Sequence, residues 1–398
     1  MLANPLDIFR KQIDIFRAKF QGDASDWKLI CQYLLMPLLD VNSVRELVIS
    51  RKKRNRLYEI LRTNSEAFSQ LLRDVGYDCF FAEVEAFQQG NPSYQSRYRP
   101  HVIGDDTKQA KTTAKCMEYL TRLFCPSNGR TLPCYNLVVL IATFGNTKYE
   151  IPLDIRLWLP RDHSEHVSKP QMMKAMVEAL QAEAERRSIS LEGVYFSCDA
   201  AYQRSNALMK TVVDAGLTVI AKVSGNLNFF IDTQTQKAKD IRDNTPWAKM
   251  KHNSKLGYRY RYKRIMAVHP VLGEVLLVIS VFYDEKRDKY RRILLITTDL
   301  DMRAPSAIWA YKRRWRVEIF FKSMKQQLRL GVFQLRKLGS VRSHFQLRGL
   351  AYLLLSQVRR FGFLHGSRWS LHKVKRWLRD TLAVEANSET RIKSTFAA

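Results

Sequence analysis

The chain has 398 residues, and 66 lysines and arginines against 38 aspartates and glutamates give it a formal net charge of +28. Its 46% hydrophobic and 11% aromatic content excludes intrinsic disorder as the main state, because disordered chains lack this much buriable surface. The most apolar stretches, such as residues 135–144, fall well short of the roughly 18 residues that a membrane-spanning helix needs.

Signals for export and for disulfides are missing from the sequence. Residues 1–12 place charges inside a short apolar pattern and have no small-residue cleavage site, so we predict no signal peptide. The six cysteines form no C-x-x-C pair, which indicates reduced thiols rather than a disulfide framework or a zinc knuckle. We therefore expect a cytoplasmic protein.

The positive charge indicates a polyanionic partner. A charge of +28 that is spread through predicted helices and strands, rather than confined to a tail, is typical of a long binding surface. Nucleic acid is the favoured partner, because cations that neutralise phosphates release condensed counterions. The alternative is a basic protein without such a partner.

Residues 1–98 are predicted to form a helical DNA-binding domain. Apolar residues recur at three- and four-residue spacing over 27–36 and 44–61, which indicates amphipathic helices. The second of these helices contains a basic cluster of Arg51, Lys52, Lys53 and Arg54. The cluster suits a phosphate-facing surface, as in helix-turn-helix proteins, and it suits a solvated helix face equally well. Residues 88–100 are the predicted linker to the next domain.

Strands and helices alternate from residue 99 to residue 223, the predicted first part of a catalytic core. Strands are predicted at 101–104, 135–144, 149–159, 193–198 and 217–223, with helices at 169–187 and 205–215. Three antiparallel strands followed by helix–strand alternation give a mixed α/β sheet in the order of an RNase H-like domain. The Asp105-Asp106 pair and Asp199 follow the first and fourth strands, which are neighbours in that topology.

Residues 224–291 are predicted to form a β-rich insertion in this core. Residues 251–292 hold eleven lysines and arginines against four acids, so we expect one sheet face to be strongly basic. The core resumes over 292–340 with one long helix at 305–328, and residues 341–398 are a predicted helical C-terminal region. The predicted fold is thus an RNase H-like mixed sheet, interrupted by the insertion, between helical terminal regions.

One face of the predicted helix at 305–328 combines a single acid with several cations. Spacings of three, four, four and three residues place five side chains on one stripe: Tyr311, Arg314, Glu318, Lys322 and Lys325. A weak i, i+4 pair between Glu318 and Lys322 explains only two of them. The tyrosine and the arginine are left unexplained, so the stripe indicates a functional carboxylate.

The pattern Tyr311-x2-Arg314-x3-Glu318-x6-Lys325 resembles the Tyr-Arg-Glu-Lys signature of bacterial insertion-sequence transposases of the DDE class. Within that class it is similar to the cut-and-paste family, whose RNase H-like domain carries a β-rich insertion before the third acid. The resemblance implies an enzyme that cleaves insertion-sequence ends and joins the freed 3′-hydroxyl to target DNA. It also implies double-stranded DNA as partner, a dimer in the DNA complex and association with the bacterial nucleoid.

The same resemblance implies three catalytic acids. The first is Asp105 or Asp106, the second is Asp199 and the third is Glu318. The family order Asp-x-Thr favours Asp105, and only one of the two neighbours can point into the site because strand side chains alternate. Converging carboxylates repel one another, and two Mg²⁺ ions held by Asp105, Asp199 and Glu318 would relieve that repulsion, with Mn²⁺ as a substitute.

The remaining signature residues are implied to grip phosphates near the cleaved end; they are Tyr311, Arg314 and Lys325, with Lys322 as a weaker candidate. Some relatives release the end through a DNA hairpin and hold a flipped base on an aromatic from the strand before the signature helix. Here that strand reads Arg-Arg-Ile-Leu at 291–294, so the hairpin step is left open. Four other aromatics could stack a base or could simply pack in the sheet: Trp247, Tyr258, Tyr260 and Tyr262.

Two alternatives to a transposase stay open at this point. The first is an RNase H-like nuclease that cuts DNA but does not join it. The second is a non-catalytic DNA-binding protein derived from such an enzyme, although the three acids favour an active enzyme.

Overall fold

The computed structural model describes most of the chain, namely residues 5–41, 43–48, 50–90, 99–112, 116–125, 129–145, 149–246, 250–252, 261–285, 287–364 and 369–396. Three of the aromatics named above, Trp247, Tyr258 and Tyr260, lie outside these residues, as does most of the predicted linker. None of the helices in the described ranges is long and apolar enough to cross a membrane.

Thirteen α-helices are found in the described residues. Those of the N-terminal region are α1 (Pro5–Lys19), α2 (Trp27–Leu35), α3 (Val44–Leu47), α4 (Arg51–Thr63) and α5 (Ser65–Gln89). Those of the core are α6 (Lys169–Arg186), α7 (Ala200–Gln203), α8 (Asn206–Asp214) and α9 (Ala238–Asn244). The last four are α10 (Ala304–Arg313), α11 (Arg316–Gln326), α12 (Leu338–Leu364) and α13 (Leu371–Phe396).

The strands that the structure describes form one continuous sheet. The first six are β1 (Pro100–Ala110), β2 (Thr121–Cys125), β3 (Arg130–Phe144), β4 (Glu150–Trp158), β5 (Tyr195–Ser197) and β6 (Thr218–Lys222). The next six are β7 (Asn228–Ile231), β8 (Gln234–Lys237), β9 (Lys251–His252), β10 (Arg261–His269), β11 (Gly273–Asp284) and β12 (Lys289–Thr297).

The core of the sheet has the strand order of an RNase H-like domain. Across the sheet the order is β4, β3, β1, β5 and β6; β3 is antiparallel to both β4 and β1, while β1, β5 and β6 are mutually parallel. Helices α6 and α8 belong to the crossovers that parallel strands require. The predicted mixed α/β fold is therefore confirmed.

The insertion extends this sheet instead of forming a separate one. Strand β12 pairs with β6, and β11, β10, β7 and β8 follow outward. Helix α10 covers one face of the join, where Leu276, Val278 and Leu295 pack against Ala307 and Ile308. Tyr262 on β10 packs beside this same cluster, as ordinary sheet packing predicts.

The N-terminal helices pack directly on the core through the long helix α12. Helices α1, α4 and α5 contact α12, and α5 also lies on β4. The predicted single helix at 44–61 is two helices, because Ser50 caps a new one by accepting a hydrogen bond from the Lys53 amide at 3.5 Å. The basic cluster at Arg51–Arg54 therefore stands at the start of α4.

The predicted long helix at 305–328 is also two helices. Around Arg314 and Trp315 the backbone hydrogen bonds shorten to i→i+3: the Arg314 amide donates to Tyr311 and the Glu318 amide to Trp315, at 3.0 and 3.1 Å. This tightened turn gives the two neighbouring arginines different partners. Arg314 pairs with a residue on β1, while Arg316 pairs with a residue on β4.

Candidate active site

The first two predicted acids lie next to each other at one end of the parallel strands. Strand β1 pairs with β5 so that each residue from His101 to Ile103 faces the residue 94 positions later. Continuing the same offset places Asp105 opposite Asp199. The pairing itself stops before them because the chain turns into α7, which Asp199 caps by accepting from the backbone N–H groups of Ala201 and Tyr202 at 2.8 and 3.1 Å.

Alternation along β1 sends Asp105 and Asp106 to opposite faces of the sheet. Asp105 faces the signature helices: its Oδ2 atom accepts from Arg314 at 2.8 Å, and Thr107 on the same face accepts from Lys325 at 2.7 Å. Both signature cations thus contact the odd-numbered face of β1. Strand β1 continues past the predicted end at residue 104, because its pairing with β3 runs to Ala110.

Asp106 faces helix α6 instead. Its Oδ2 atom accepts from Lys169 at 2.7 Å, and its Oδ1 atom accepts from the Tyr202 hydroxyl at 3.2 Å. On this face Met173 of α6 packs against Gly104 and leaves no room for a side chain there, because an added Cβ atom would lie 2.6 Å from the Met173 sulfur. Lys169 and Tyr202 were not predicted as site residues; the position of Tyr202, three residues after Asp199, was the available signal.

The third predicted acid lies between the two cations that contact β1. Glu318 follows Arg314 by four residues and precedes Lys325 by seven, and both of these cations contact the odd-numbered face of β1. The negative charge of Glu318 favours the protonated forms of both Arg314 and Lys325, which acts to raise the pKa of each. Within the described part of the chain, the Glu318 carboxylate accepts no hydrogen bond and forms no ion pair.

Burial changes the protonation of several groups at this site. Burial raises the pKa of Asp105 to about 7, against the opposing charge of Arg314, and the charge of Asp199 adds to the rise. Burial also raises the pKa of Tyr311 and lowers the pKa of Lys325. Asp105 is therefore protonated more readily than an exposed aspartate, and a nearby cation favours its charged form.

The donor atoms at the site suit a hard divalent cation, although they do not form a ready-made cluster. No group of three acidic, histidine or cysteine side chains is close enough to hold a metal ion in the residues that are described. The carboxylates of Asp199 and Glu318 nevertheless have oxygens without a partner there, and oxygen is the ligand that Mg²⁺ prefers. Arg314 takes the position next to Asp105 that such a cation would compete for.

A cavity of about 450 Å³ opens beside the site, against the turn between α10 and α11. Its lining is aromatic, aliphatic and basic; it consists of Lys222, Ser280, Phe282, Arg291, Ile293, Ile308, Tyr311, Lys312, Arg314 and Trp315. Trp315 is 62% exposed at its mouth. Phe282 pairs across the sheet with Arg291, so the strand next to 291–294 contributes an aromatic side chain to the lining of the cavity.

The remaining predicted DNA contacts form two groups, one on α11 with Glu318 and one on α4. Lys322 is exposed on α11, and Arg51, Lys52 and Lys53 are exposed at the start of α4. Arg54 is half-buried and donates to the Val48 carbonyl at 3.0 Å, which ties it to the N-terminal fold.

A buried ion-pair network holds α11 in place and was not predicted from the sequence. Glu150 on β4 is fully buried; it pairs with Arg316 at 3.0 Å, accepts from the Tyr352 hydroxyl at 3.0 Å and also pairs with Arg359. The available signal was an acid at the start of a mostly apolar strand, which also contains Asp154 and Arg156. Because Arg316 lies two residues before Glu318, this network fixes the turn of helix that carries the third acid.

Comparisons with known proteins give one informative match. No curated protein matches the chain. Among solved structures, the chain overlaps with the NurA nuclease from Sulfolobus solfataricus at 11% identity and a TM-score of 0.26, covering 66% of this chain and 85% of that chain. A TM-score this low carries no argument about fold or function. The model of the transposase DDE domain family matches residues 102–354, which is more than half of the sequence and includes all three predicted acids, and the chain belongs to this family.

Proposed function

We propose that the protein is an insertion-sequence transposase that cleaves the element's ends and joins the freed 3′-hydroxyl to target DNA. Membership of the transposase DDE domain family gives the coarser activity, DNA cleavage. The observation that carries the finer proposal is the register of β1 and β5, which brings Asp105 opposite Asp199 on the face that Arg314 and Lys325 contact. Two of the three carboxylates are thereby brought together beside cations of the signature, and Glu318 follows Arg314 by four residues along the chain.

Asp105, Asp199 and Glu318 are the residues we assign to the chemistry, and Asp105 is preferred over Asp106. Asp106 points to the opposite face, where Lys169 and Tyr202 hold it, so its role is to fix β1. The three carboxylates would hold a pair of Mg²⁺ ions, which when bound activate a water or a 3′-hydroxyl and stabilise the leaving oxygen. Mn²⁺ offers similar oxygen chemistry.

The cations of the signature bind and orient the DNA in this proposal. Tyr311, Arg314 and Lys325 border the acids and would contact the phosphates on either side of the cleaved bond. Asp105 and a DNA phosphate would compete for Arg314, which pairs with Asp105 in the structure. Binding of a phosphate would draw Arg314 away and free the Asp105 Oδ2 atom, while Oδ1 would still accept from the Asp106 amide, so DNA binding prepares this acid.

The rest of the surface supplies weaker contacts. Lys322, one turn beyond Glu318 on α11, would be a weaker contact to phosphates near the cleaved end. The exposed cluster of Arg51, Lys52 and Lys53 would neutralise other duplex phosphates, with Arg54 supporting the cluster from inside. The cavity lined by Phe282 and Trp315 suits an unstacked base, which is what end release through a hairpin requires. Joining two ends requires two copies of the protein, so we propose a dimer on DNA.

An assay of joining with pre-cleaved ends tests the proposed activity. Duplexes that end in the element's terminal repeats with an exposed 3′-hydroxyl are incubated with supercoiled target plasmid and Mg²⁺. We expect covalent joining of the 3′ ends to the plasmid. Cleavage of uncut ends without any joining would support a nuclease instead, and DNA binding with neither reaction would support a non-catalytic derivative.

A further inference from the structure

A second concentration of positive charge lies where α11 ends against α13. Four polar residues of α13 share one helix face through their spacing of three, one and three residues: His372, Lys375, Arg376 and Arg379. The opposite face of α13 is anchored by buried Leu371, Val374 and Leu378. The basic corner is the surface formed by Arg329, Lys375, Arg376 and Arg379.

Three cations of the basic corner converge on one carboxylate. Lys375 donates to Asp40 Oδ1 at 2.6 Å, Arg379 donates to Asp40 Oδ2 at 2.8 Å, and Arg329 lies 3.5 Å from Oδ1. The Lys375 side chain is only 9% exposed and also donates to the Gln327 carbonyl at 3.2 Å. The cations are therefore fixed in position before any ligand arrives.

The corner holds more positive charge than its acids neutralise. Asp380 pairs with Arg379 at 2.9 Å, so among the described residues two carboxylates, Asp40 and Asp380, stand against the three cations of α13 in the corner, Arg329 not counted. Arg376 points along the same face and contacts His372 at 3.0 Å. One ion pair would be enough to hold α13 against Asp40, and the corner has more cations than that role needs. Cations that are held in place and only partly neutralised are suited to bind phosphate.

The position of the corner fits a DNA strand that enters the proposed active site. Gln327, which Lys375 contacts, lies nine residues beyond Glu318 at the end of the same helix, or about 14 Å along it at the usual rise per residue. Lys325 lies between the two places, on the face of β1 that carries Asp105. Cations therefore continue from the acids to the corner along α11.

We propose that the basic corner binds the phosphate backbone of the DNA a few nucleotides from the cleaved bond. This inference rests on the proposed function, because it takes the acids as the place of cleavage. The DNA would replace Asp40 as the anionic partner of Arg379, and Arg376 would contact an adjacent phosphate. The terminal segment of the element and the target DNA share this backbone chemistry.

Salt dependence of DNA binding tests the corner. Fluorescence anisotropy is measured over a range of KCl concentrations for the unmutated protein and for the double variant Arg376→Gln/Arg379→Gln. The slope of log K against log[salt] should fall by about two, since each lost phosphate contact removes roughly 0.9. The control Lys174→Gln/Arg186→Gln removes two cations that pair with glutamates on the solvent side of α6, and its slope should stay unchanged.

Two duplexes identify the source of the phosphates. If the corner variant binds less tightly only to a duplex with the terminal repeat, the corner contacts the end of the element. If it also binds less tightly to an unrelated duplex, the corner contacts any DNA, target DNA included.

Asp40→Asn removes the competing carboxylate and should tighten DNA binding by severalfold. Equal slopes for the corner variant and the control, or a lower melting temperature of Asp40→Asn without tighter binding, would overturn the inference. If the unmutated protein still binds with a steep salt slope, the proposed function survives that failure, whereas no DNA binding at all would remove both.

Discussion

Two glutamates close to the turn between α10 and α11, Glu150 on β4 and Glu318 on α11, differ in how fully their carboxylate oxygens are used. Glu150 on β4 is fully buried and has Arg316, Arg359 and Tyr352 as partners. Glu318 has none among the described residues, although cations lie on both sides of it along the helix. A buried carboxylate that is paired with two arginines fixes structure, whereas one with free oxygens between cations is available for a ligand.

The two arginines at the turn between α10 and α11 differ in the same way, because one pair is buried and the other lies beside the cavity. Arg314 and Arg316 are two residues apart and pair with acids on different strands, Asp105 and Glu150. The buried pair is hard to open because it would leave charges without partners in the interior. The pair at Asp105 lies next to the cavity and can exchange its partner for a phosphate.

The largest expected difference between the two glutamates is in stability. Glu150→Ala leaves Arg316 and Arg359 buried without an anion and should lower the free energy of unfolding by about 3–5 kcal/mol. Glu318→Ala removes a carboxylate that has no partner to lose, so it should change that free energy by less than about 1 kcal/mol. Urea denaturation of both variants measures the two effects, and equal losses would contradict the distinction.

The protonation of Asp105 should make stability depend on pH. Its pKa is raised to about 7 in the folded protein, so the folded state holds this proton at pH values where the unfolded chain has released it. Stability relative to Asp105→Asn should therefore fall by a few kcal/mol as the pH rises from about 4 to about 7, and should be level above that. Denaturation of both proteins across this range measures the change; a constant difference would show that Asp105 is not perturbed.

A smaller effect is expected for competition between Arg314 and a metal ion. Arg314→Gln removes the cation beside Asp105 and should tighten Mn²⁺ binding without DNA by about tenfold, or about 1.4 kcal/mol. Lys322→Gln removes an exposed cation from the same helix and should change the affinity by less than about twofold. Mn²⁺ titration followed by electron paramagnetic resonance compares the two. An equal gain in both variants would indicate a general charge effect instead.

The sequence predicted the core because strand alternation, helix periodicity and the fixed signature spacing are local patterns. The order of the five core strands and the contacts of Arg314 and Lys325 with one face of β1 agree with such patterns. The break at Arg314 and Trp315 could not be predicted in this way, because neither residue disfavours a helix. Tertiary partners on β1 and β4 accompany it.

Long-range pairs were the other features beyond the reach of sequence patterns. The ion pair between Arg316 and Glu150 depends on how α11 lies across β4. In the basic corner, Asp40 pairs with residues that are more than 280 positions later in the chain. Strand alternation did predict that only one of Asp105 and Asp106 faces the signature helix. It could not say which, since that depends on the side of the sheet to which the helix returns.

Single-turnover nicking of terminal-repeat DNA tests the central claim most directly. The rate is measured for the unmutated protein, for Asp105→Asn, Asp199→Asn and Glu318→Gln, and for the neighbour variant Asp106→Asn as the matched control, with DNA affinity recorded in parallel. The first three variants should lose about 1,000-fold or more in rate, because each removes a ligand oxygen from the reacting centre, while binding DNA nearly normally. Asp106→Asn should retain most of the rate. Normal nicking by any of the three, or loss in Asp106→Asn with full activity in Asp105→Asn, would contradict the assignment.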